Sequence, residues 1–151
     1  MEKEKVIAFN QDQVDHNIRV AMEVQRLCNM LMLDVVSHDR SKFDPEEFEA
    51  FVDSRDSLNA STDGKDEDYQ KHLKGAAIQH HITTNRHHPE YWDRIRQEMP
   101  VDQAIIMFFD WKARCDAKGS TLDRFWDYNM EKLKKHPTAK AVAEGLKRLF
   151  G

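Results

Sequence analysis

Apolar residues in this chain recur at three- and four-residue steps over most of its length, and that spacing commits it to helices. Val14, Ile18, Ala21, Val24 and Cys28 line one helical stripe, and the run LMLDVV carries the pattern on to Ser37-His38-Asp39. Asp44-Pro45-Glu46-Glu47 predicts a helix start, with Asp44 as N-cap, Pro45 in the first turn and Glu47 closing a capping box; Phe48 and Phe51 follow on that helix. VDQAIIMFFDWKARC is the most apolar helix, with Gly119 placed to stop it. Ser120 and Asp123 resemble a second capping box, opening LDRFWDYNMEKLKK, and after Pro137 the stretch AKAVAEGLKRLF forms a last amphipathic helix. With only 5 Gly and 4 Pro in 151 residues, a turn-dense β fold is excluded. The expectation is a single all-α domain spanning residues 1–151, a bundle of about six or seven helices. The acidic stretch DSRDSLNASTDGKDED, residues 53–68, lacks periodicity and reads as a flexible surface loop.

Bulk properties narrow the function. A net charge of -4 argues against nucleic-acid binding through a basic surface. No apolar stretch reaches the roughly 18 residues of a spanning helix, and MEKEKVIAFNQDQ has no signal-peptide core. Two cysteines, Cys28 and Cys115, make a disulfide framework improbable and point to core thiols in a reducing cytoplasm. The oligomeric state is left open: Val142, Leu146, Leu149 and Phe150 can face inward or meet a partner.

The chemistry is concentrated in the 8 histidines. Two doublets, His80-His81 and His87-His88, lie within QHHITTNRHHPEYW, His38 adjoins Asp39 in HDRSKF, and His16 lies in the first helix. Imidazole and carboxylate are the usual ligands of Zn, Fe, Mn, Co and Ni, and a site needs several of them converging at roughly 2.0–2.2 Å. Geometry sets conditions. On one straight helix His16 and His38 would stand about 33 Å apart, so sharing an ion demands a turn between them, most easily at Cys28-Asn29. His81 and His88 would be about 10 Å apart on a continuous helix, which rules out one ion but could serve two, or else the chain bends at Thr83-Thr84-Asn85. Pro89 disfavours helical geometry at His88, so the helix ends or breaks before it. Asp110, after five apolar residues, needs Arg114, solvent or a metal as partner. Each residue also has an ordinary structural reading as a solvated helix end, a core histidine or an ion pair, but all of these must then hold together.

The ordered series His16, His38-Asp39, Lys42, the histidine doublets and Asp110 resembles the HD-domain superfamily of metal-dependent phosphohydrolases, an all-helical group with the pattern H…HD…D. HDRSK is similar to its HD-x-G-K variant, with serine in place of glycine. The blocks HDRSKF, HHITTNRHHPEYW and the DW pair in MPVDQAIIMFFDWKARC more closely resemble a small phage and bacterial family of no settled activity, over roughly residues 14–140. The resemblance implies that His16, His38, Asp39 and Asp110 hold a first divalent ion and that Asp39 bridges to a second. His81 and His88 are the preferred second-site ligands, with His80 and His87 as alternatives. It implies phosphoester hydrolysis on a nucleotide or other small phosphate, with Lys42 on a phosphate oxygen, and Arg40 and Arg86 as further phosphate contacts. Asn85 would orient a histidine or the substrate and Glu90 would accept a hydrogen bond behind the ligands; Tyr91 and Trp92 could stack on a base, with core packing the favoured role for Trp92. Two other readings share these residues: an HD-type di-iron oxygenase, and a non-catalytic metal-containing binding protein.

Overall fold

The structure, a computed structural model, describes residues 2–60 and 75–151, without the side chains of 55–60. It is all-α: seven α-helices and two short 3₁₀ turns, with no strand among the described residues. The helices are α1 (Lys3–Ser37), α2 (Pro45–Ala60), α3 (Ala76–Thr84), α4 (Pro89–Ile95), α5 (Val101–Ala117), α6 (Trp126–Lys132) and α7 (Pro137–Phe150). The 3₁₀ turns cover Arg40–Phe43 and Leu122–Arg124. No described helix is long and apolar enough to cross a membrane.

The chain divides into two compact units, Met1–Val36 and Ser37–Gly151. The first is one continuous helix. Neither Gly nor Pro occurs before Pro45, so nothing in the sequence breaks α1 at Cys28-Asn29 and the expected turn there is absent. A lone helix has no interior, and Cys28, expected in a core, is exposed.

In the second unit α5 packs along α7, while α3 packs on both α2 and α4. Ala104 and Phe108 on α5 and Ala139 and Ala143 on α7 are completely buried, each pair one turn apart. Alanines at those two α7 positions let the backbones approach and leave the volume to Phe108. Met99 and Leu133 complete this core. The Met99 amide donates to Nδ1 of buried His136 (3.1 Å), the residue that precedes Pro137 at the start of α7.

The expected helix starts at Pro45 and Pro137 and the stop near Gly119 (φ 60°) are found. Three local expectations differ. Residues 53–60, read as loop, continue α2, since no breaker precedes Gly64; residues 61–68 lie outside those described. Ser120 and Asp123 form no capping box: a 3₁₀ turn from Leu122 precedes α6, which begins only at Trp126. Glu47 does not cap α2 either, because both of its oxygens are taken by other partners.

Candidate metal centre

The second unit alone supplies the site. His38 and Asp39 follow the end of α1, and Asp39 caps the 3₁₀ turn that carries Ser41 and Lys42. His81 is in the last turn of α3, which ends at Thr84. The chain therefore bends between His81 and His88. His88 is extended (φ -102°, ψ 134°) ahead of Pro89, as the proline demands, and the His87 and His88 rings lie 4.2 Å apart. The Trp92 indole N–H donates to the Arg86 carbonyl (2.6 Å) and ties this turn to α4. Asp110 enters from α5.

Among the described residues two groups of potential ligands form, Asp39 with His81, His87 and His88, and Asp39 with His38 and Asp110. Within each group the donor atoms lie within 4.8 Å of one another. The two oxygens of Asp39 face different groups. Oδ1 stands 3.3 Å from His81 Nε2 and 3.4 Å from His87 Nε2, whereas Oδ2 is 3.7 Å from His38 Nε2. His38 Nε2 is in turn 3.8 Å from Asp110 Oδ1. Two ligands at about 2.1 Å on a tetrahedral ion stand about 3.4 Å apart, so this is the spacing a shared ion needs.

Three buried atoms at the centre have no hydrogen-bond partner: Asp39 Oδ1, His87 Nε2 and His88 Nε2. Orphaned buried polar atoms are costly, and three of them converging is an arrangement that a cation between them would satisfy. The donor set, imidazoles with carboxylates, fits a divalent transition metal. Lys42 places its ammonium on Asp39 Oδ2 and partly supplies that charge.

Behind the ligands stands Glu47, buried without residual exposure. Its Oε1 pairs with His80 Nδ1 (2.8 Å) and its Oε2 with His81 Nδ1 (2.9 Å). Ser41 donates to Oε2 (3.0 Å) and accepts from Asn85 Nδ2 (2.7 Å). A carboxylate only accepts, so in the neutral ring the His81 proton sits on Nδ1 and Nε2 turns its lone pair toward Asp39. This is the carboxylate–histidine support typical of metal ligands.

The electrostatics suit neutral imidazoles and charged carboxylates. Burial would raise the Asp39 carboxyl, but the charge and hydrogen bond of the Lys42 ammonium beside it help hold the group well below the usual carboxylate range. Asp110 is also lowered, with His38 and then Arg114 overcoming the effect of burial. Burial, the largest influence on each, pulls His87 down to about 4 and His88 well below its ordinary value. A histidine held below its unfolded value of about 6.5 binds its proton only when the chain unfolds. Its stabilising effect is complete above pH 6.5 and is lost as the pH falls toward 4. The melting temperature of the metal-free protein is therefore expected to drop steadily between pH 6.5 and 4.5, and a flat profile would contradict this burial.

Of the expected ligands, the fold brings together His38, Asp39, Asp110, His81 and His88, and it adds His87, which ranked only as an alternative. His80 is turned to Glu47 and is not in either group. His16 does not meet its own condition: it is exposed, and about 30 Å of unbroken helix separate it from Val36. Asn85 bonds Ser41 and the His81 carbonyl, so it supports a histidine. Glu90 pairs with Lys132 (2.9 Å) and leaves Oε2 buried and unpaired. Arg40 is exposed, and the Arg86 guanidinium lies over the Trp92 ring at 5.6 Å. Trp92 is a core residue, as expected. The sequence reading missed the roles of Glu47 and Ser41; the one available signal was a serine where the similar motif has glycine.

Fold and site together define an all-α protein whose second unit carries a histidine–aspartate cluster able to bind metal. Residues 5–149 match a family of unknown function, DUF5662, and the chain belongs to that family. No curated protein and no solved structure matches it.

Proposed function

We propose that this protein is a metal-dependent phosphohydrolase acting on a nucleotide or another small phosphoester. The observation that carries the reading is Asp39, whose two oxygens face two separate ligand groups, as a carboxylate bridging two ions must. Divalent ions such as Mn, Fe, Co, Zn or Ni would supply a water of lowered pKa and offset the charge of phosphate oxygens. His81, His87 and His88 with Asp39 Oδ1 would hold one ion, and His38 and Asp110 with Asp39 Oδ2 the other. Among the described residues the second group offers three ligands, which would leave coordination positions for water and substrate, as a catalytic site requires. Glu47 fixes the His81 tautomer. A pocket bordered by His81, His88 and Asp110 gives a substrate access to the cluster.

Lys42, beside Asp39 and 5.3 Å from the centre of the Phe51 ring, is the cation placed to take a phosphate oxygen as a point charge. Lys42→Ala is expected to keep its metal and lose most turnover, by roughly 100-fold or more, on the loss of a charged transition-state contact. The assay is a phosphoester screen of Mn-loaded wild type and variant, with metal content read in parallel. Unchanged turnover would remove Lys42 from the mechanism, and no hydrolysis by metal-loaded wild type would overturn the reading. The four imidazoles and two carboxylates also suit a di-iron oxygenase. Iron retained through aerobic purification, with a visible absorption band, would favour that alternative.

A further inference from the structure

α1 runs for 35 residues and buries none of them. Its polarity is nonetheless ordered. Ile7, Val14, Ala21, Cys28 and Val35 recur every seven residues, and Asn10, Asn17, Val24 and Leu31 keep the same step three residues later. These are the a and d positions of a heptad kept for four repeats, the seam of a coiled coil. Charge respects the same frame. Between Lys5 and Met32 the charged residues are Lys5, Asp12, Asp15, Arg19, Glu23 and Arg26, and all six stand at the outer b, c and f positions. The e and g positions beside the seam carry no charge over that span and include Ile18, Val20, Leu27 and Met32. With three cations and three anions, the outer face lacks the basic character that docks a helix on an anionic lipid surface.

We propose that α1 pairs with α1 of a second copy of this chain, as a parallel, in-register coiled coil over residues 7–35. The area is sufficient. Apart from Leu31, the large apolar side chains of the seam and its flanks over that span stand between 38% and 59% exposed. At roughly 80 Å2 for each of these eight, covering them on both chains removes about 1,300 Å2 from water, the size of a stable dimer interface. β-branched Ile7, Val14 and Val35 at a, with Leu31 at d, favour two strands. The asparagines choose the direction. In a parallel pair each layer meets its own counterpart, so the Asn10 and Asn17 amides each face the same amide of the second copy. In an antiparallel pair d faces a, and every a residue is apolar, which leaves both amides against hydrocarbon. The same parallel layers set Cys28 beside its counterpart.

The test is sedimentation of the full chain under reducing conditions, beside two variants. Val24→Glu puts a charge in the seam, and Met22→Glu puts one at an outer b position, where the side chain is already 66% exposed. Wild type and Met22→Glu are expected to sediment as dimers at micromolar concentration. Val24→Glu should dimerise roughly 100-fold more weakly, because two carboxylates would enter an apolar layer. Diamide, which takes up the two protons and two electrons that the thiols release, should join two wild-type chains through Cys28. Cys28→Ser should stop the cross-link, since Cys115 is buried. A monomer at every concentration, as expected if α1 is covered within its own chain, would overturn the proposal, and so would a dimer that survives Val24→Glu. A dimer that diamide cannot join would overturn it too, because the parallel register is what brings the two Cys28 thiols together. The cross-link is read on wild type and decides the matter even if Val24→Glu fails to fold. The phosphohydrolase reading stands or falls separately.

Discussion

Asp39→Ala is expected to abolish metal binding altogether while leaving the helical content close to that of the parent chain. The carboxylate belongs to both ligand groups, so a single substitution removes one donor from each at once. What is left is three imidazoles in one group and a histidine with an aspartate in the other. Neither set retains the charge that Asp39 brings. The fold should tolerate the change, because Asp39 lies outside the Phe108 core and its main contacts are to His38, Lys42, His81 and His87. Losing it also relieves the like-charge proximity with Asp110. Metal content and circular dichroism on the same preparation check the prediction. Wild-type metal content in the variant would dismiss the site; loss of helicity together with metal would mean that Asp39 acts on the fold first.

Glu47→Ala carries the largest expected effect on stability. The side chain is completely buried, and its oxygens serve His80, His81 and Ser41. Truncation leaves His81 Nδ1 without its acceptor and opens a void between α2 and α3. Breaking a buried charged network of this kind costs about 3–5 kcal/mol. Whatever remains folded should bind metal 10–100-fold more weakly, as loss of the partner behind a ligating histidine typically does. Glu47→Gln separates the two effects. It fills the same volume and can accept from His81, so it should recover most of the stability and only part of the affinity. Thermal denaturation and metal titration of both variants provide the measurement; full affinity in Glu47→Ala would show that His81 needs no such support.

The parts of this molecule readable from sequence are those set by local chemistry. Helix starts at Pro45 and Pro137 follow from proline's fixed φ, and the extended His88 follows from Pro89. The grouping of HDRSKF, the doublets and Asp110 was legible only through the resemblance of those blocks in series; from the residues alone, Asp110 after five apolar residues demanded some partner. His81 was preferred over His80 and is the one in the ligand group, but nothing local fixed that preference or added His87. Adjacent residues on a helix point about 100° apart, so only one of the doublet can face Asp39, and which one depends on how α3 sits against α2. Glu47 misled for the same reason: its spacing from Asp44 matches a capping box, and its true partners are 33 and 34 residues away. Its neighbour Phe48 is half exposed, the reverse of what hydrophobicity alone would assign. The unbroken α1, in contrast, could have been foreseen from the absence of Gly and Pro before residue 45.

Elemental analysis of the protein purified without chelator and without a nickel column decides whether the cluster is a metal site. One or two equivalents of a transition metal per chain are expected, lost in Asp39→Ala. Iron would direct attention to oxygen chemistry, and manganese, cobalt or zinc to phosphoester hydrolysis. A protein that holds no metal, even after incubation with each of these ions, would contradict the account and leave the histidine–aspartate cluster as structure alone.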